Sequence, residues 1–400
     1  MYIKPEKGLM LAPAAMEVVV GATNLGAPLK RSLNIKHLIT CLFIGGILSA
    51  LAIKVDAVTL PEERTDLGFN YYNGDDLEVD GPVLLVRKNI MERYSVSAKY
   101  KEDNISGASV DVRSQASAYS ETREEISLGG QAIIDNSIFR LSSTISDEPD
   151  YESKSVGIAV SHYFLSDLFT LNLGYNRGWD TVGQIDTNLD EAIDRHIFNL
   201  GISSVFSKSA LFSLNYEVNM EEGRLDNPYR GAILQGAHVP EKYPDTRIGH
   251  GLSVDTLYYH RTNTVSRFFY RFFTDTWAVS SNTFKFTYIT PVKYIGPEFV
   301  IESHLRLYDQ DGASFYSDNA ASATKFIARD KELSDFGTIE IGAVGHYDLE
   351  KWNKKYFNQL VASIGYTAIF FEYNNFTDLS KNQLLNFRAD LLQIYITARY

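Results

Sequence analysis

The chain has 400 residues, room for two or three soluble domains or for one large transmembrane barrel. Its 38 Lys and Arg against 50 Asp and Glu argue against nucleic acid as a partner, because phosphates demand the opposite sign. A single cysteine excludes a disulfide framework and a multi-cysteine metal site, and a mean hydropathy of −0.17 excludes a polytopic helical membrane protein.

Residues 1–57 read as an N-terminal extension and a signal helix for export. Lys30, Arg31, Lys36 and His37 precede an uncharged run from Leu38 to Ile53, which is a basic n-region followed by an apolar h-region. The run holds 16 residues, short of the roughly 20 that a spanning helix needs. Cleavage is expected after Ala57, with Ala52 as the alternative, and an uncleaved anchor is the competing reading. Cys41 lies near the start of the run, the wrong place for a lipoprotein cysteine, and leaves with the signal. Cleavage removes six basic and three acidic residues, taking 38 against 50 to 32 against 47, a net −15.

Residues 58–400 carry no long apolar pattern of helical period. Period-2 alternation recurs instead, in segments of roughly ten residues, as barrel strands require. Phe212, Leu214, Tyr216, Val218 and Met220 alternate with Ser213, Asn215, Glu217 and Asn219, one face apolar and the other polar. The same pattern runs through Phe169–Asn176 and Leu360–Phe370. The 25 Tyr and 23 Phe suit strands and membrane interfaces.

The alternation predicts an all-β, antiparallel transmembrane barrel of about 16 strands (range 12–16). The segments fall near 65–72, 82–88, 93–102, 119–133, 137–147, 152–163, 168–179, 194–206, 210–222, 247–260, 265–275, 281–292, 298–309, 335–349, 358–373 and 385–400. The chain ends with Leu392, Ile394, Ile396, Ala398 and Tyr400 on one face. This resembles the terminal strand that the barrel-assembly machinery recognises, with Tyr400 as the assembly signal. The longer gaps, at 103–118, 180–193, 223–246 and 310–334, all fall in one alternate set, the layout of short turns at one end and long loops at the other. The link at 350–357 is long for its set and the link at 148–151 is short.

If Phe268, Tyr270 and Phe272 face lipid, then Arg267 and Arg271 face inward, and by the same alternation so do Glu298, Glu302, His304, Arg306, Glu340 and His346. Two readings follow: a pore constriction of opposed charges, or a salt-bridge ladder that stiffens the wall. The loop candidates Asn73–Asp76, Asp186–Asp194 and Asp309–Gly312 are acidic, and divalent ions could bridge them to lipopolysaccharide. Asp309–Gly312 resembles the start of a calcium loop, but Ala320 stands where a bidentate Glu is needed, so no metal is assigned. No G-x-S-x-G or H-E-x-x-H occurs, and the eight histidines lack ligand spacing. No catalytic residue or cofactor is therefore expected; Ser161, His162 and His346 are the residues nearest to a hydrolase set. The functional expectation is a porin-like channel, with a plugged anchoring barrel and a membrane-embedded hydrolase as alternatives.

Several stretches resemble a Gram-negative barrel family, domain of unknown function three-five-seven-zero. They are Ser106–Ser109, Asp226–Arg230 with Tyr243–Arg247, Tyr270–Trp277, Arg306–Tyr316 and Arg329–Ser334, in that order. Asp311 and Ser314 depart from the family pattern. The resemblance spans about residues 65–400 and implies an exported outer-membrane barrel without assigned chemistry. It also implies that the segment holding Asp309, Gln310, Phe315 and Tyr316 packs as a loop inside the barrel mouth.

Overall fold

The computed structural model describes residues 58–107, 119–184, 189–292, 299–349 and 357–400. The signal segment, its cleavage site and Glu298 lie outside the described residues. Period-2 alternation becomes strands β1 (Arg64–Gly74), β2 (Leu77–Ile90), β3 (Tyr94–Gly107), β4 (Tyr119–Ile134), β5 (Ser137–Glu148), β6 (Tyr151–Phe164), β7 (Phe169–Gly183), β8 (Asp190–Ser207) and β9 (Ala210–Gly223). A short hairpin of β10 (Gly231–Leu234) and β11 (Ala237–Pro240) follows. The second half adds β12 (Thr246–Tyr259), β13 (Val265–Asp275), β14 (Ser280–Pro291), β15 (Phe299–Asp311), β16 (Phe336–Asp348), β17 (Gln359–Asp378) and β18 (Gln383–Arg399).

All strands except β10 and β11 form one closed antiparallel barrel of sixteen, with β1 pairing to β18. Each predicted segment is one of these strands. Closure leaves no strand of the ring with an open edge, which a spanning structure requires in hydrocarbon. The outward row is apolar: Leu128, Leu141, Ile158, Ile341 and Ile364 are each more than half exposed. Exposed to water, such a surface would drive aggregation; in a bilayer it is the solvated face. Tyr94, Tyr258, Tyr288, Tyr347 and Tyr400 stand outward at strand ends near one rim and form an aromatic girdle. Ile158→Arg, at the middle of β6, is expected to cost about 2–4 kcal/mol of stability in lipid vesicles. Reversible urea unfolding measures it, and a neutral result would remove this face from the bilayer.

Both described chain ends meet at one rim, here the terminal end; the opposite rim is the loop end. Of the links at the loop end, 224–245 and 312–335 are long, but four are tight. The Asp75–Asp76 stretch expected in an acidic loop is a two-residue turn with φ of 54° and 58°, the left-handed pair that matches strand twist. Asp190–Asp194 extend β8, and Asp309–Asp311 extend β15, where Asp311 pairs with Ser280. The calcium-like segment is therefore mostly strand, and Asp309 and Gln310 are not loop residues.

Candidate functional site

The inner wall carries the chain's charge. Arg267 and Arg271 point inward, as expected, and each finds a carboxylate on the wall. Arg267 holds Asp255 through two nitrogens at 2.5–3.0 Å. Arg271 reaches from β13 past β12 to Glu217 on β9, 3.1 Å away. It can do so because it passes over Gly251, where a Cβ would stand 2.9 Å from the guanidinium. Arg195 crosses Gly178 in the same way to reach Asp180 at 2.5 Å and Ser153 at 2.9 Å. Arg306 bonds Glu340 on the next strand, and Glu302 lies within electrostatic reach of Lys285 and Arg267. His304 lies over Gly342, and His346 pairs with Ser363 at 2.9 Å.

These pairs run along the wall between near neighbours, which is the ladder arrangement. The ladder continues where sequence reading placed no site. Asp103 meets Lys101 and Arg123, Arg123 also lies 3.5 Å from Glu148, and Arg247 on β12 holds Asp275 at 2.9 Å. Water reaches the lumen elsewhere, since the inward Asn199, Asn215 and Arg267 are exposed. Ser161 points inward to Asn172, whereas His162 points outward to Ser137, so β6 separates these two hydrolase candidates.

The mouth at the loop end is narrowed by the two long loops, 224–245 and 312–335, the second of which holds the segment that the family resemblance places in the mouth. The β10–β11 hairpin turns at Gln235 and Gly236, both with positive φ. The β15–β16 loop adds itself to this hairpin through backbone bonds. Ala320 N–H donates to Ile233, Gln235 N–H to Ala320, and Ile327 and Lys242 exchange a pair at 2.9 Å. Apolar side chains then seal the junction. Tyr243, Trp277, Val279, Ala328 and Leu333 form one buried cluster, with Phe315 and Tyr316 packed against it. Phe336, Tyr373, Phe376 and Leu385 form a second on the inner face of the strand ends, again against Tyr316.

Burial of each such side chain contributes about 1.5–3 kcal/mol, enough to hold a loop of this length in place. Gln310, facing inward from β15, donates to the carbonyls of Glu332 and Ser334 at 2.8 and 3.0 Å. Phe315 and Tyr316 therefore lie in a loop folded against the mouth, and Gln310 is the strand residue that fastens it. Polar ties complete the cap. Arg230 pairs with Asp330, Arg329 with Asp318 at 2.9 Å, and Lys331 with Asp75 in the β1–β2 turn.

A closed ring with an apolar exterior, a charged and hydrated interior and a folded-in mouth defines a membrane-spanning β-barrel. Residues 185–359 match the family described as "Protein of unknown function (DUF3570)", the family that the motifs resemble, over a shorter stretch than the motifs span. No curated protein matches the chain. Among solved structures, one described as a bacterial polysaccharide outer membrane secretin is 6% identical, with a TM-score of 0.48, covering 85% of this chain and 100% of that one. The outer membrane protein OpdK of Pseudomonas aeruginosa is 9% identical, with a TM-score of 0.42, covering 86% and 100%. OprD of the same organism is 8% identical, with a TM-score of 0.39, covering 84% and 95%.

Proposed function

We propose that the chain is a porin-like channel of the Gram-negative outer membrane, passing small solutes through a lumen narrowed at its loop end. The observation that carries this reading is the hydrated inner wall of a sixteen-strand ring, because a barrel of this size is too wide for its own side chains to fill. In this reading residues 1–57 are an export signal removed on passage, the terminal end faces the periplasm, and the loop end lies outside the cell among lipopolysaccharide. The barrel-assembly machinery inserts the chain through its last strand, which ends at Tyr400. The wall charges, paired along the ring, stiffen it and keep the lumen polar, and no catalytic step is assigned to them.

Purified barrel in a planar bilayer should give discrete single-channel current steps. A folded, silent barrel would count against the channel. That result would favour the second reading, which the interlocked loops support: a plugged barrel that anchors a partner. Recovery of a stoichiometric partner with the silent barrel would then settle in its favour.

A further inference from the structure

At the terminal end, Gln359, Arg399, Arg64, Arg87 and Ser97 are direct cross-strand partners in one row over β17, β18, β1, β2 and β3. The strand alternation turns all three arginines toward the lumen, as Asp66 and Thr397 show by their inward hydrogen bond of 2.8 Å. Like charges side by side destabilise a sheet, so this row needs anions. Arg64 has Asp66 at 2.9 Å, and Arg399 has Glu62 at 3.2 Å and the Gln359 side chain. Arg87 makes no hydrogen bond or ion pair among the described residues, and its Nε is closed off from solvent. Small residues continue the arginine row, as Ser97 faces Gly129 and Gly129 faces Ser142.

We propose that this rim binds a small oxyanion, a carboxylate or phosphate group, gripped by Arg87 with Arg64 and Arg399 as flanking charges. A guanidinium presents two parallel N–H groups to such an anion, and the inward direction makes the anion a solute of the lumen instead of a lipid headgroup. The inference rests on the channel reading for its source of ligand, and two readouts keep the two ideas separate.

The first is thermal unfolding of the folded barrel in a detergent without phosphate headgroups, with inorganic phosphate compared against chloride at matched ionic strength. Phosphate should raise the unfolding temperature of the native chain. Arg87→Gln should lose that rise yet unfold at a higher temperature than the native chain in phosphate-free buffer, because one of three neighbouring charges is gone. Arg87→Lys should restore part of the phosphate effect. An unchanged phosphate effect in Arg87→Gln overturns the site, and so does a lower unfolding temperature for that variant in phosphate-free buffer. The second readout is the chloride current, which phosphate added at the terminal end should reduce in the native barrel but not in Arg87→Gln. Current without any phosphate effect sinks the site and leaves the channel standing; phosphate stabilisation without current does the reverse.

Discussion

Replacing residues 314–333 by a short glycine-containing turn should raise single-channel conductance several-fold. The segment supplies Phe315, Tyr316, Ala328 and Leu333 to the buried cluster that lines the mouth, and its backbone completes the β10–β11 hairpin. Without it the hairpin loses the backbone bonds to Ala320 and Ile327, and the inner ends of β15–β18 face water. The sixteen strands do not depend on the segment, since their ladder is closed by β1 and β18. Far-ultraviolet circular dichroism should therefore stay β-rich and confirm that the ring survives.

A point variant gives the same answer more gently. Lys331 and Asp75 are each less than a tenth exposed at the side chain, so Lys331→Gln removes the ion pair that ties the β15–β16 loop to the β1–β2 turn. Breaking a buried pair costs up to about 3–5 kcal/mol, which is comparable to the docking of a loop. The variant should flicker between two conductance levels where the parent holds one. Truncation that leaves conductance unchanged would mean that the loops do not limit the pore.

The cap should also loosen as pH rises from about 5 to 8. Glu241 lies in the link after β11, buried, with its carboxylate taking hydrogen bonds from the Tyr243 hydroxyl and the Arg329 N–H, both at 2.6 Å. Those bonds favour the ionised form, but burial outweighs them, and the negative charge of Asp330 adds to it, so the carboxyl is pushed up to about 7. The docked loops therefore prefer the protonated acid. Their stabilisation is complete below the free value near 4.5 and is lost as pH climbs through 7, a difference on the order of 2–3 kcal/mol. Open-state current and amide exchange in residues 231–243 should both increase over that window. Glu241→Gln should hold the low-pH behaviour throughout. A variant that keeps the full pH response would assign the effect to another group.

Sequence reading placed the strands well because a wall between lipid and water needs one apolar face at every second residue, as Phe212–Met220 displays without a break. The row that ends at Tyr400 faces outward for the same reason. The inward directions of Arg267, Arg271, Arg306 and Glu340 followed from that alternation. What alternation could not supply was reach. Arg271 finds Glu217 only because register brings Gly251 between them, and register across two ladders is not written in any one segment. The resemblance placed the Asp309–Tyr316 segment in the mouth, but the hairpin it pairs with was hidden for a related reason: Ile233 and Ala320 are far apart in the chain, and their pairing is backbone to backbone. The Asp75–Asp76 turn misled because acidic pairs read as solvated loop, although Asp tolerates the left-handed backbone such turns demand. Arg87, Arg64 and Arg399 come from both ends of the chain, and nothing local marks them as neighbours.

The tether between Lys331 and Asp75 crosses the join of first and last strands, since one partner follows β15 and the other follows β1. Most of the lid can knit together from the second half of the chain alone, where Glu241, Trp277 and Leu333 all reside. Its final fastening must wait until β1 has docked on β18. A cylinder still gaping along that line would carry a lid hinged but not latched, so a tight mouth reports that the wall behind it has been completed.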